Sequence, residues 1–286
     1  MLHPDSIERC LVWGQVQASW ELYRSAIASY DRAIAYDPSC ARAWFEKGSL
    51  LLKLKRYDAA LEAFNTAIGL NDTHGTWWHH QSQALAACQQ WEAALTASQR
   101  ALELDAENPK FWQHRAVVLD TLDRTGEACL SVARAAALKP DNVNIFLQYG
   151  AILERLGLHC EALDRYNRAG QLQPDNPRVW LSKAWVLLKL YRLPEALDCS
   201  ERAKRLAPDR PETWTAFGDV LCQLNRYLEA IEAYRHALSL SADPQNARKS
   251  LRKACSRCLL QRWCSLLKPL QPHRWLHWLE RFRWLV

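Results

Sequence analysis

"YDAALEAFNTAIGL" occupies residues 57–70 and "YLEAIEAYRHALSL" occupies residues 227–240. Both place an aromatic residue at the first and eighth positions and alanine at the fourth and eleventh. The two stretches lie 170 residues apart, which is five steps of 34, and each intermediate step carries the same pair of alanines. One alanine column reads Ala26, Ala60, Ala94, Ala128, Ala162, Ala196 and Ala230; a second, seven residues on, reads Ala33, Ala67, Ala101, Ala135, Ala169, Ala203 and Ala237. A fixed period of this length is the mark of a stacked repeat, and the chain contains seven copies.

Each copy divides into two helices. Apolar residues recur three and four apart in both halves, and breaks such as "LKPDN" and "LAPDR" end the second half. Pro38, Pro140, Pro174 and Pro208 supply the stop. An aromatic column, Trp44, Trp78, Trp112, Phe146, Trp180 and Trp214, leads the first helix, with Cys10 in its place in the first copy. Four residues later comes a small residue: Gly14, Gly48, Ser82, Ala116, Gly150, Ala184 and Gly218. Small columns let antiparallel helices approach closely while the aromatics fill the gaps beside them. Stacking buries a core that one copy alone cannot bury.

These columns resemble the tetratricopeptide repeat family, over residues 7–244, with repeats starting at Ile7, Ala41, Gly75, Pro109, Val143, Pro177 and Pro211. The resemblance implies an all-α, right-handed superhelical solenoid. Asp72, Ala106 and Ala242 replace the closing proline, and Ser98, Val132 and Ser200 replace the second-helix aromatic found as Tyr30, Phe64, Tyr166 and Tyr234, so looser packing is expected there.

The resemblance further implies a scaffold without catalysis or cofactor, holding a peptide or partner protein in a groove lined by the first helices. The residues expected to face it in the middle repeats are Thr76, His79, His80, Gln83, Lys110, Gln113, His114, Asn144 and Gln148, a polar and histidine-rich set suited to a peptide backbone or a carboxylate. The clamp with which some family members hold a C-terminal carboxylate is not reproduced: Lys110 occupies a suitable column, but His114 stands in the arginine's place. No metal is expected, because His79 and His80 diverge by about 100° around their helix. No Ser-His-Asp ordering, glycine-rich phosphate loop or paired carboxylate points to an enzyme.

Composition agrees with helix: only nine glycines in 286 residues, with 49% hydrophobic and 24% charged. Seven of the ten cysteines are scattered singly, which reads as free thiols. Asp5, Glu8 and Arg9 interrupt any signal peptide, and a cytoplasmic location is expected.

The net charge of +6 is uneven. Residues 245–286 hold ten Lys or Arg against Glu280 alone, which is +9 and leaves −3 for the rest. Residues 245–268 read as a basic capping helix with an apolar stripe of Leu251, Cys255, Leu259, Trp263 and Leu267. Residues 269–286 read as an amphipathic segment with Trp275, Trp278 and Phe282 on its apolar face and Arg274 and Arg281 supplying charge, suited to folding back on the capping helix, to an anionic membrane surface or to a partner. Cys255, Cys258, His273 and His277 have zinc-like spacing, but the two cysteines also fit the helix stripe. Nucleic-acid binding is the weakest use of the charge, since no reading module accompanies it.

Overall fold

A computed structural model describes residues 4–240 and 245–267. Among them the backbone forms fifteen α-helices and no strand: α1 (Pro4–Ser19), α2 (Tyr23–Tyr36), α3 (Ala41–Lys53), α4 (Tyr57–Leu70), α5 (Gly75–Ala87), α6 (Trp91–Leu104), α7 (Pro109–Thr121), α8 (Thr125–Leu138), α9 (Val143–Arg155), α10 (His159–Leu172), α11 (Pro177–Lys189), α12 (Leu193–Leu206), α13 (Pro211–Gln223), α14 (Tyr227–Leu240) and α15 (Gln245–Leu267). They fall into two compact units, one ending at Arg165 and one beginning at Tyr166. In the first unit α1 packs on α2, α3 on α4, α5 on α6 and α7 on α8, and the second helix of each pair bears on the first helix of the next. In the second unit α11 pairs with α12 and α13 with α14, α12 bears on α13, and α15 packs on α14 and touches α13. The architecture is the tandem helix-pair arrangement of an α-solenoid.

The turn inside each pair repeats as strictly as the alanines. Glu21, Lys55, Gln89, Asp123, Gly157, Tyr191 and Asn225 all have φ between 55° and 77°. Each donates its N–H three residues back while the next residue donates five residues back, as in Lys55 to Leu52 and Arg56 to Leu51. This double closure satisfies the last carbonyls of the first helix and reverses the chain. Among these seven residues only Gly157 is spared the left-handed penalty on a Cβ.

Every member of both alanine columns is fully buried. The small column is matched to the second-helix aromatic by size. A Cβ added to Gly14 would lie 2.6 Å from Cε1 of Tyr30, and one on Gly48 would lie 2.7 Å from Cε1 of Phe64. Where the small residue is Ser82, Ala116 or Ala184, the opposing position holds Ser98, Val132 or Ser200. These three substitutes are themselves buried, and the serine hydroxyls donate to Leu95 and Leu197 carbonyls. The loss of the aromatic is thus accompanied by growth of the residue facing it.

The leading tryptophans are not the deepest residues of their helices. Trp44, Trp78, Trp112, Trp180 and Trp214 are half-buried, and each indole N–H donates to the carbonyl six residues earlier, at 2.7–3.0 Å. The acceptor is the backbone of Pro38, Asp72, Ala106, Pro174 or Pro208, so the bond needs the carbonyl and not the proline ring. The buried column is the preceding residue: Ala43, Trp77, Phe111, Ile145, Val179 and Thr213. In α1 that position is Arg9, and it is exposed.

The buried side of α15 differs from the predicted stripe. Ala254 is fully buried and packs with Leu221, Ala230, Tyr234 and partly buried Leu251, whereas Leu259 is 58% exposed. A small residue is needed where α15 crosses the large Tyr234 side chain, which turns the helix away from Leu259. The side chains of Trp263 and Leu267 lie outside the described residues, as do all of 269–286, including Arg274, Trp275, Trp278, Arg281 and Phe282.

Candidate functional site

In the first unit α3, α5 and α7 lie side by side, and Gln148 on α9 donates to the carbonyl of Gln113 on α7 at 3.2 Å. These are the first helices of successive repeats, and they bring the middle histidines together. The His79 ring stacks on Phe111, with centroids 4.8 Å apart, and meets His114 edge-on at 5.1 Å and His80 edge-on at 5.8 Å. His80 in turn stands edge-on to Phe45, which stacks on Trp77 at 5.3 Å.

Hydrogen bonds fix how these rings are used. Ser82 has one hydroxyl proton and gives it to the Ala94 carbonyl at 2.6 Å, so its oxygen accepts from Nε2 of His114 at 2.9 Å. His80 Nδ1 donates to the Thr76 carbonyl at 2.8 Å. The Gln83 amide donates to Nε2 of His79 at 3.0 Å, which leaves the His79 proton on Nδ1. That Nδ1 is buried and has no partner. Three more atoms on the neighbouring helices share this condition: Ser49 Oγ on α3, and Arg115 Nε and Asp120 Oδ1 on α7. The other oxygen of Asp120 is paired with Arg155 at 2.8 Å.

Burial keeps the imidazoles neutral. His79, only 7% exposed, is pushed down to about 3, first by burial and then by His114, His80 and Lys110. His114 is pushed down to about 4 by burial, against the opposing hydrogen bond at Ser82. His80 is lowered by burial too, although the Thr76 carbonyl and Glu46 favour its charged form. The site therefore presents neutral rings, a fixed set of donors and acceptors, and the exposed ammonium of Lys110 at its edge.

The expected residues divide into two groups. Thr76, Lys110 and Asn144 are exposed and Gln83, Gln113, His114 and Gln148 half-buried, while His79 is sunk beneath them. Among the described residues no group of three or more His, Cys, Asp or Glu is placed to hold a metal ion. The three histidine rings meet edge-on and do not converge on a point. His273 and His277, needed for the zinc-like spacing, lie outside the described residues. Ser82 was legible only as a small residue, although its hydroxyl joins α5, α6 and α7. Trp77 and Phe111, the floor of the cluster, had a sequence signal in the apolar column beginning at Ala43.

Models of the tetratricopeptide repeat match residues 13–74, 152–211 and 211–244, together more than half of the chain. The unmatched stretch 75–151 contains two of the three repeats in which the second-helix aromatic is replaced, at Ser98 and Val132. Comparison with curated proteins produced no match. Among solved structures, the C-terminal part of a TPR repeat-containing protein from Cytophaga hutchinsonii superposes with a TM-score of 0.70 at 14% identity, covering 84% of this chain and 99% of that one. YrrB, described as a TPR protein with an unusual peptide-binding site, gives 0.56 at 19% identity, covering 64% and 95%. MamA gives 0.56 at 18% identity, covering 60% and 94%. The columns, the helix pairs and these matches agree: the chain belongs to the tetratricopeptide repeat family.

Proposed function

We propose that the protein is a non-catalytic interaction scaffold whose face of first helices, α3 to α9, binds an extended segment of a partner protein. The observation that carries this reading is the buried, unpartnered Nδ1–H of His79. A buried donor without an acceptor costs about 1–3 kcal/mol, a penalty that a ligand carbonyl or carboxylate would relieve. Ser49 and Asp120 hold further unpartnered atoms on the flanking helices. An extended chain advances roughly 3.3 Å per residue. Packed helices lie about 8–10 Å apart, so each helix would meet every third residue. Thr76, Gln83, Lys110, Gln113, His114, Asn144 and Gln148 surround this line with side chains suited to a peptide backbone. That the same fold carries a peptide-binding site in YrrB supports the reading.

Peptide display on the purified protein tests it. Peptides enriched by the wild type are expected to lose at least tenfold in affinity for a Thr76→Ala, Gln83→Ala, Lys110→Ala, Asn144→Ala variant of unchanged helical signal. Equal affinity for both proteins would remove the site from this face. Among the described residues no helix is long and apolar enough to cross a membrane.

A further inference from the structure

We propose that the exposed face of α15 is a docking surface for an anionic lipid bilayer. None of the 23 residues of α15 is acidic. Arg248, Lys249, Arg252 and Lys253 are all exposed, and none has an ion-pair partner among the described residues. At 3.6 residues per turn the four fall within about 140° of arc, opposite the buried Ala254. Of the four, Lys253 acts on the carboxylate of Asp219 on α13, which accepts a 2.6 Å hydrogen bond from the Tyr234 hydroxyl. Among the described residues none of these four cations forms an ion pair, unlike Arg124, Arg192 and Arg226, each of which pairs with a glutamate three residues on.

The chemistry of the face selects lipid over other polyanions. Leu259, 58% exposed, lies in the same arc as Arg248 and Arg252. An apolar side chain among cations is the arrangement that enters a headgroup layer. The downstream sequence extends the pattern: "HRWLHWLERFRWLV" alternates arginine with tryptophan and leucine, and residues 245–286 carry ten basic residues against one acidic. Each Lys or Arg near an anionic surface strengthens partitioning about fivefold, and rising salt weakens it. Phosphate backbones would satisfy the charge but offer nothing to Leu259.

The surface belongs to the second unit and shares no residue with the peptide-binding face of the first, so the two proposals fail independently. The test is co-sedimentation of the full chain with phosphatidylcholine vesicles, with and without phosphatidylserine, across increasing salt. Wild type is expected to pellet only with the anionic vesicles and to be released by salt. An Arg248→Gln, Lys249→Gln, Arg252→Gln, Lys253→Gln variant should lose at least a hundredfold in partitioning, and Leu259→Ser should lose less. All four basic side chains point to solvent, so an unchanged helical signal is expected to accompany the loss. Three outcomes would overturn the proposal: no binding by wild type at low salt, undiminished binding by the quadruple variant, or tighter binding of wild type to a single-stranded oligonucleotide than to the anionic vesicles.

Discussion

A Cβ on Gly218 would lie 2.7 Å from Cε1 and 2.9 Å from Cδ1 of Tyr234, a fully buried ring whose hydroxyl bonds Asp219. No real side chain tolerates that distance, so the two positions, sixteen residues apart, form one volume. Gly218→Ala is expected to destabilise by about 1–3 kcal/mol through overpacking. Tyr234→Ser should cost more alone, but the double variant should be less destabilised than the sum of the two by about 1–2 kcal/mol. Chemical denaturation of the four proteins checks this, and strict additivity would refute the coupling.

The neutral histidines predict a specific response to acid. In the unfolded chain His79 ionises near the ordinary 6.5, whereas in the fold it does so only at about 3. Between these values the unfolded state holds the extra proton. The stabilisation from burying neutral His79 is therefore complete above pH 6.5, shrinks as pH falls through that window and is fully lost below about 3. The slope is about 1.4 kcal/mol per pH unit for one such group. His79→Phe, which keeps the stack on Phe111, should flatten this part of the stability curve between pH 6 and 4. Parallel curves for the two proteins would contradict the burial argument.

The indole bonds should depend on the donor and not on the proline. Trp112→Phe is expected to cost about 0.5–1.5 kcal/mol, because the Ala106 carbonyl loses its partner. Pro38→Ala should leave the bond from Trp44 intact, and thermal denaturation of both variants separates the two effects.

The left-handed turns offer a stabilising substitution. Tyr191, 80% exposed with φ of 55°, is expected to gain about 0.5–1 kcal/mol on replacement by glycine, and Gly157→Ala to lose about as much. Melting temperatures moving in the same direction for both would show that the turns are not strained.

The repeat was legible because Ala60 and its counterparts do one invariant task, close helix contact, at one spacing. The column through Ala43, Trp77 and Thr213 was harder to see, since its members differ in size according to the neighbouring helix that each meets. His79 shows the same limit. Its spacing placed it with the groove residues, but the stack on the Phe111 ring of the next repeat, which buries it, could not be read from spacing. Leu259 was assigned to a buried stripe from spacing alone; the bulk of Tyr234 beneath α15 decided otherwise by favouring Ala254 at the contact.

Arg9 stands where every later repeat buries an uncharged side chain, and this bears on how copies of the protein coexist at high concentration. A stack of identical modules is at risk of growing without limit, one molecule adding to the end of another as subunits add to a fibre. Any helix added over α1 at this position would press on the exposed Arg9 guanidinium. The desolvation of that charge opposes the joint. A single arginine thus places a charge where the same column is uncharged in every later repeat, and any helix laid over it would have to desolvate that charge.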